Sequence, residues 1–163
     1  MRGAYPGTFD PPTIAHLAVA EAARSQCALE RVDLIVNREP LGKSTISPLA
    51  TRIAMLEAVA ASRPWMTVVL TDKAHLADIA VDYDVLVLGA DKWSQVLDVV
   101  FYSSVAARDD AVARLPQLAV APRRGYPLPD DCVVLDVQMS EVSSTAARSG
   151  RVDLVPPEVR RLM

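Results

Sequence analysis

Long apolar runs are missing from this chain, and so is an excess of positive charge. Hydrophobic residues fill 51% of its 163 positions, mostly as Ala, Val and Leu. No uninterrupted stretch approaches the ~20 residues that cross a bilayer, so no membrane span is expected. Pro6, Asp10 and two more prolines break up the first residues, which excludes the apolar core of a signal peptide. Cysteine is scarce too. Cys27 and Cys132 each stand beside an apolar segment and read as buried free thiols rather than a disulfide framework. A cytoplasmic protein is the expectation. With 17 Lys and Arg against 20 Asp and Glu, the net charge is −3, which leaves no basic face for bulk nucleic-acid binding. The adjacent pairs Arg123-Arg124 and Arg160-Arg161 amount to a local site or a solvated face. A small phosphorylated ligand needs only a few placed cations and stays open.

What is present is an alternation of strand-like and helix-like segments. Ala4 and Tyr5 centre a short first strand. Arg31–Val36, Met66–Leu70, Val85–Leu88 and Gln117–Ala121 are compact apolar runs, with Val133–Val137 as a sixth candidate. Between them lie helical segments: Thr13 to Ser25, Ala74 to Ala80, Asp91 to Val99, Asp109 to Arg114, and short pieces after Ser144 and Pro156. Another runs from Pro48 to Ala61, with Leu49, Ile53, Leu56 and Ala60 at helical spacing and Ser47 as its N-cap. Strands without polar alternation, each followed by a helix, predict a parallel sheet covered on both faces. The fold class is therefore α/β: a single doubly wound domain over 1–163 with a mostly parallel five- or six-stranded sheet. Right-handed crossovers bring the loops Gly7–His16, Asn37–Ser44 and Gly89–Trp93 to one sheet edge, where ligands bind at the switch point in strand order.

The first of these loops is Gly7-Thr8-Phe9-Asp10-Pro11-Pro12-Thr13-Ile14-Ala15-His16. Gly7 allows a positive φ or a close backbone approach, and the prolines stiffen the loop and keep Asp10 extended. The helix can begin only at Pro12 or Thr13, which puts His16 on its first turn beside exposed N–H groups. That is a site for an anion, phosphate in particular. Alone, the same residues describe a surface helix start more readily than a site. A second such start is Glu141-Val142-Ser143-Ser144-Thr145-Ala146-Ala147-Arg148, where three hydroxyls lead into a turn with Arg148 on the face of Thr145. It is either an N-cap with a surface Arg or a phosphate cradle.

Together the two stretches resemble the paired signatures of the nucleotidyltransferase α/β-phosphodiesterase superfamily, Gly-x-Phe-x-Pro-x-(His/Thr)-x-Gly-His and (Ile/Val)-Ser-Ser-Thr-x-x-Arg. Pro40-Leu41-Gly42-Lys43, Arg52-Ile53-Ala54-Met55-Leu56, Gly89-Ala90-Asp91 and Val155-Pro156-Pro157-Glu158-Val159 resemble its nicotinate/nicotinamide mononucleotide adenylyltransferase branch. Thr13 stands where that branch usually has its first histidine, as in the phosphopantetheine adenylyltransferases, and Ala15 replaces a glycine. The segment Thr71–Tyr83 lacks the Tyr-Thr and Thr-Leu pattern of the acceptor site.

The resemblance implies a Rossmann-like fold and transfer of AMP from ATP to a phosphorylated small molecule with release of pyrophosphate. The first-choice acceptor is a nicotinate/nicotinamide mononucleotide, in NAD biosynthesis. The alternatives are phosphopantetheine as acceptor, or a nucleotide-binding module without turnover. It further implies that His16 donates to the α-phosphate and that Thr13 offers a hydroxyl to it or to the nucleophile. Ser143, Ser144, Thr145 and Arg148 would hold the β- and γ-phosphates. Mg²⁺ would arrive with ATP, with no dedicated protein site for a metal. Gly7, Thr8, Phe9 and Gly89 would line the nucleotide. Lys43 closes on the transition state or is a solvated loop lysine. Asp10 either contacts the nucleotide or makes an Asx-type turn, and Asp91 either meets the ribose or caps a helix. Trp93 reads as core and His75 as surface. Arg123 and Arg124 reach the triphosphate or are solvated.

Overall fold

Period-two alternation along the strands builds two cores at once. The computed structural model describes residues 1–40, 46–138 and 142–163. Its strands are β1 (Arg2–Gly7), β2 (Arg31–Asn37), β3 (Met66–Thr71), β4 (Val85–Gly89), β5 (Gln117–Ala121) and β6 (Val133–Val134). They form one six-stranded sheet in the order β3-β2-β1-β4-β5-β6, and every neighbouring pair is parallel. Tyr5, Val32, Leu34, Val36, Val85 and Val87 face one core. Their neighbours Ala4, Ile35, Leu86 and Leu88 face the other. Both faces are therefore apolar, which is why the runs show no polar alternation.

The helices are α1 (Ile14–Gln26), α2 (Leu49–Ala60), α3 (Leu76–Ile79), α4 (Ala90–Leu97), α5 (Val105–Ala113), α6 (Ser144–Arg148) and α7 (Pro157–Arg160). Val19, Ala20 and Ala23 of α1, Met55, Leu56 and Val59 of α2, Ala147 of α6 and Val159 of α7 close the first core. Ile79, Ala90, Trp93 and Val96 close the second, so Trp93 is core as expected. Each fully buried Val or Leu contributes about 1.5–3 kcal/mol by leaving water. Cys27 is buried and Cys132 half-buried, and both are free thiols. Among the described residues no helix is long and apolar enough to cross a membrane.

Several local expectations are corrected. Pro48 takes the N-cap position of α2, and Ser47 makes no side-chain cap there. The buried stripe of α2 is Arg52, Met55, Leu56 and Val59, so Ile53 is only half-buried and a guanidinium lies inward instead. The predicted helix at Asp109 begins at Val105, where the Ser104 hydroxyl accepts the Ala107 N–H at 3.1 Å. The helix expected over Ala74–Ala80 is the single turn Leu76–Ile79 followed by a 3-10 turn at Ala80–Asp82. The sixth strand pairs only at Val133 and Val134.

One charge sits inside the second face. Asp33, fully buried in β2, accepts the Tyr83 hydroxyl at 2.7 Å and an Arg31 Nη2 at 3.0 Å. Burial and the adjacent Asp33 carboxylate push the Tyr83 phenol up to about 12. A phenol raised in the folded state contributes stability below its ordinary value of about 10, and that contribution disappears as pH rises through the folded value. Unfolding free energy should therefore fall between about pH 10 and 12, and the fall should be shallower in Tyr83→Phe. At pH 7 the same variant should lose about 1.5–3 kcal/mol in urea denaturation, the value of a hydrogen bond to a charged group.

Candidate active site

Strand order reverses around β1, whose two neighbours are β2 and β4. The crevice beyond the carboxyl ends of β1 and β4 is thus the topological switch point, and Gly7 and Gly89 end those strands. The chain after Gly7 is bent by Phe9, not by the glycine. Phe9 has φ 49°, and the Asp10–Pro11 peptide is cis. Gly7 serves instead for close approach, since a Cβ there would stand 2.6 Å from Phe9 Cζ. The Phe9 ring is buried, edge-on to Tyr5 at 5.4 Å and to His16 at 5.1 Å.

Side chains from distant elements grip the back of this loop. Arg148 Nη1 donates to the Asp10 carbonyl, and the Ser144 hydroxyl donates to the Pro11 carbonyl at 2.8 Å. Arg52 Nη1 lies 3.5 Å from the Thr8 carbonyl. The Asp10 carboxylate makes no Asx turn; it accepts the Ser47 N–H at 2.8 Å, bridging to the start of α2. The second signature is therefore a buttress for the first as well as a neighbour of the cleft. Within it the Ser143 hydroxyl caps α6 by accepting the Ala146 N–H, and Arg148 Nη2 reaches Thr145 Oγ1 at 3.3 Å.

Thr13 is the N-cap of α1 and His16 its third residue. The Thr13 N–H donates to His16 Nδ1 at 2.9 Å, and the fully buried Thr13 hydroxyl lies 2.9 Å from the same nitrogen. A nitrogen that accepts a backbone N–H carries no proton, so the proton of the neutral ring sits on Nε2. His16 is thereby fixed as a hydrogen-bond donor through Nε2, and Thr13 is placed to orient it.

These residues line a cleft of about 480 Å³ that includes Gly7, Thr8, Phe9, Asp10, Thr13, His16, Gly89, Asp91, Ser143, Ser144, Thr145 and Arg148. All the sequence-predicted residues outside the undescribed segments thus converge. Lys43 lies outside the described residues. Asp91 does not occupy the cap of α4, a position held by Gly89; its carboxylate pairs with Arg123 at 3.1 Å. Arg123 lines the cleft with it, while Arg124 is exposed and does not. Burial, with the Asp91 charge nearby, raises the Tyr5 phenol well above its ordinary value and keeps it protonated at the cleft floor.

A smaller cavity of about 100 Å³ adjoins the cleft and shares Gly7, Thr8, Lys92 and Gln95 with it. Its far wall is Ile79, Phe101 and Tyr102, with Asn37 and Thr71 from the strand ends. His75 is not the surface residue expected from sequence. It is half-buried, lines this cavity and stacks on Tyr102 at 5.0 Å with an 18° interplanar angle.

The cytidylyltransferase-like family model matches residues 4–150, a span holding both signatures. The chain belongs to the cytidylyltransferase-like family. Within that family's sequence space it is similar to a "Probable nicotinate-nucleotide adenylyltransferase" of Dehalococcoides mccartyi, at 26% identity over 140 residues covering 78% of this chain and 67% of the relative. A relative of the same name from Listeria innocua is 41% identical over 64 residues, 37% of this chain and 34% of that one. The chain thus spans about a third of the Listeria relative it matches. In fold it is similar to the nicotinic acid mononucleotide adenylyltransferase of Plasmodium falciparum complexed with NaAD, with TM-score 0.70, 14% identity, and 99% of this chain and 93% of that one covered.

For this cytidylyltransferase-like chain, sequence reasoning gave no site role to Arg52, which it quoted only within a motif, to Tyr5, read as strand, to Ser47, read as a helix cap, or to the His75–Tyr102 pair. Only Arg52 carried a signal, as one strongly polar residue on the apolar stripe of a helix. Gly7→Ala should be destabilised by about 1–3 kcal/mol, because the Phe9 ring is wedged between Tyr5 and His16 and cannot step aside. Urea denaturation reads this out, and a change under about 0.5 kcal/mol would show that the ring moves freely.

Proposed function

We propose that this chain is a cytoplasmic adenylyltransferase that transfers AMP from ATP to nicotinate mononucleotide, releasing pyrophosphate, as a step of NAD biosynthesis. The observation that carries the reading is the joining of two cavities across Gly7 and Thr8. One is large and edged by cations, the other small and aromatic. A phosphate of the acceptor entering from the small cavity meets the α-phosphate in the large one beside His16.

The acceptor phosphate oxygen forms the new bond to the α-phosphorus while the bond to the β-bridging oxygen breaks, and its electron pair leaves with pyrophosphate. No enzyme group is consumed. Catalysis is positioning plus neutralisation of charge on phosphate oxygens. His16 Nε2–H donates to the α-phosphate, with Thr13 holding the ring through Nδ1. Ser143, Ser144, Thr145 and Arg148 accompany the β- and γ-phosphates, and Arg123 and Lys92 add cations along the cleft wall. Mg²⁺ bound with ATP would supply further charge neutralisation, with no protein group needed to hold it. This fits the donor set, because both carboxylates among the described cleft residues are engaged, Asp10 by Ser47 and Asp91 by Arg123. Lys43, outside the described residues, is proposed as a further cation for the reacting phosphates.

No carboxylate lines the small cavity among the described residues, whereas His75 and Lys92 do. That polarity supports an acid-bearing pyridine over its amide. The decisive experiment is pyrophosphate release with a panel of nucleoside triphosphates against nicotinate mononucleotide, nicotinamide mononucleotide and phosphopantetheine. ATP with nicotinate mononucleotide should be the fastest pair. Release only with phosphopantetheine would reassign the acceptor, and ATP binding without any release would mark a binding module. His16→Ala should lower kcat by about 10²-fold or more, the effect of removing one oxyanion donor. Thr13→Val keeps the backbone bond to Nδ1 and should lose less, about 10-fold, with KM for ATP little changed.

A further inference from the structure

We propose that Arg52 is a positioning residue that holds the nucleotide loop and the acceptor cavity in register. Arg52 is 1% exposed and belongs to the buried stripe of α2 with Met55, Leu56 and Val59. It is an expensive group to bury, because a guanidinium that loses water needs acceptors on several sides. Burial pulls it below its ordinary value, and the Asp10 carboxylate is the charge that acts against that shift.

Among the described residues its acceptors are three main-chain carbonyls and no carboxylate. Nη1 and Nη2 each stand 3.4 Å from the Asn37 carbonyl, Nη1 stands 3.5 Å from the Thr8 carbonyl, and Nε stands 3.3 Å from the Ser47 carbonyl. Thr8 lines both cavities, and Asn37 lines the small one. Ser47 in turn donates its N–H to Asp10. One planar fork thus spans the ends of β1 and β2 and the start of α2. A hydrophobic side chain of the same length would fill the space equally well but would leave Thr8 and Asn37 free to shift relative to one another. A misplacement of about 1 Å between two reacting groups costs about 10²-fold in rate.

The proposal rests on the adenylyltransferase reading only for its kinetic readout. The full chain is compared as parent, Arg52→Lys, Arg52→Met and Arg52→Ala, with kcat, KM for each substrate, thermal midpoint and MgATP affinity by calorimetry. Arg52→Lys keeps the charge and loses the fork. It should stay folded yet lose about 10-fold in kcat, with a smaller change in KM. Arg52→Met should lose about 10²-fold at temperatures where it is folded. Millimolar methylguanidinium should restore activity to Arg52→Ala several-fold and leave the parent unchanged, a response that loss of stability alone does not give. Parental kcat in a folded Arg52→Lys overturns the proposal, as does a loss in all variants that follows the unfolded fraction without rescue. If the parent binds MgATP but releases no pyrophosphate, the adenylyltransferase reading fails on its own. MgATP affinity then decides: about 10-fold weaker in Arg52→Lys upholds the role of Arg52, and unchanged affinity overturns it.

Discussion

A loop can hold a phosphate only if its N–H groups, and not its carbonyl oxygens, face the ligand. In the proposed nucleotide loop of this protein the carbonyls are tied from behind. Thr8, Asp10 and Pro11 present their carbonyls to Arg52, Arg148 and Ser144. Pro11 and Pro12 have no N–H to offer, so within Thr8–Pro12 only Thr8, Phe9 and Asp10 carry one. The rest of the structure follows from this requirement. α2 must pack deeply enough to deliver a guanidinium under β1, and α6 must lie against the loop although it is a single turn. Phe9 in the left-handed region is held there by rings on both sides.

The sheet order makes such a grip possible. With β1 central and its neighbours leaving in opposite directions, the loops after β1 and β4 diverge and open a crevice between them. α1 and α2 lie on one face and α4 on the other, so the crevice is walled by helix starts from both sides. The small aromatic cavity is the part of that crevice lying toward α3 and the 3-10 turn at Val99–Phe101.

Much of this was legible in the residues. Val85–Leu88 and Gln117–Ala121 announced buried strands by composition alone, and the glycine after the first of these marked the crevice. The two signatures were legible as phosphate-type helix starts, and the shared sheet edge required them to meet. What was not legible depends on partners far along the chain. Asp10 looks like a local turn former until Ser47 arrives, and His75 looks exposed until Tyr102 stacks on it. Arg52 was hidden for a different reason. Helical spacing puts position 52 on the stripe of Leu49 and Leu56, yet the charge of an Arg argues for solvent, and only the convergence of three carbonyls makes the inward position tolerable. Of the two readings open for Gly7, a positive φ or a close backbone approach, the close approach is the one that holds, and the positive φ falls on Phe9.

The cations of the cleft differ in how firmly they are held, and that difference bears on the proposed uptake and release of a polyanion. Arg148 is committed to a loop carbonyl and to Thr145, so its position belongs to the scaffold. Arg123 is held by Asp91 in a pair whose side chains are 44% and 38% exposed. A pair so open to water is worth only about 0–1 kcal/mol. It therefore keeps Arg123 at the rim of the cleft without fixing it there. In the proposed reaction a triphosphate, with acceptor oxygens on several sides, would take up guanidinium donors other than the Nη1 that meets Asp91. The cleft thus combines a rigid back, built from tied carbonyls, with a yielding rim.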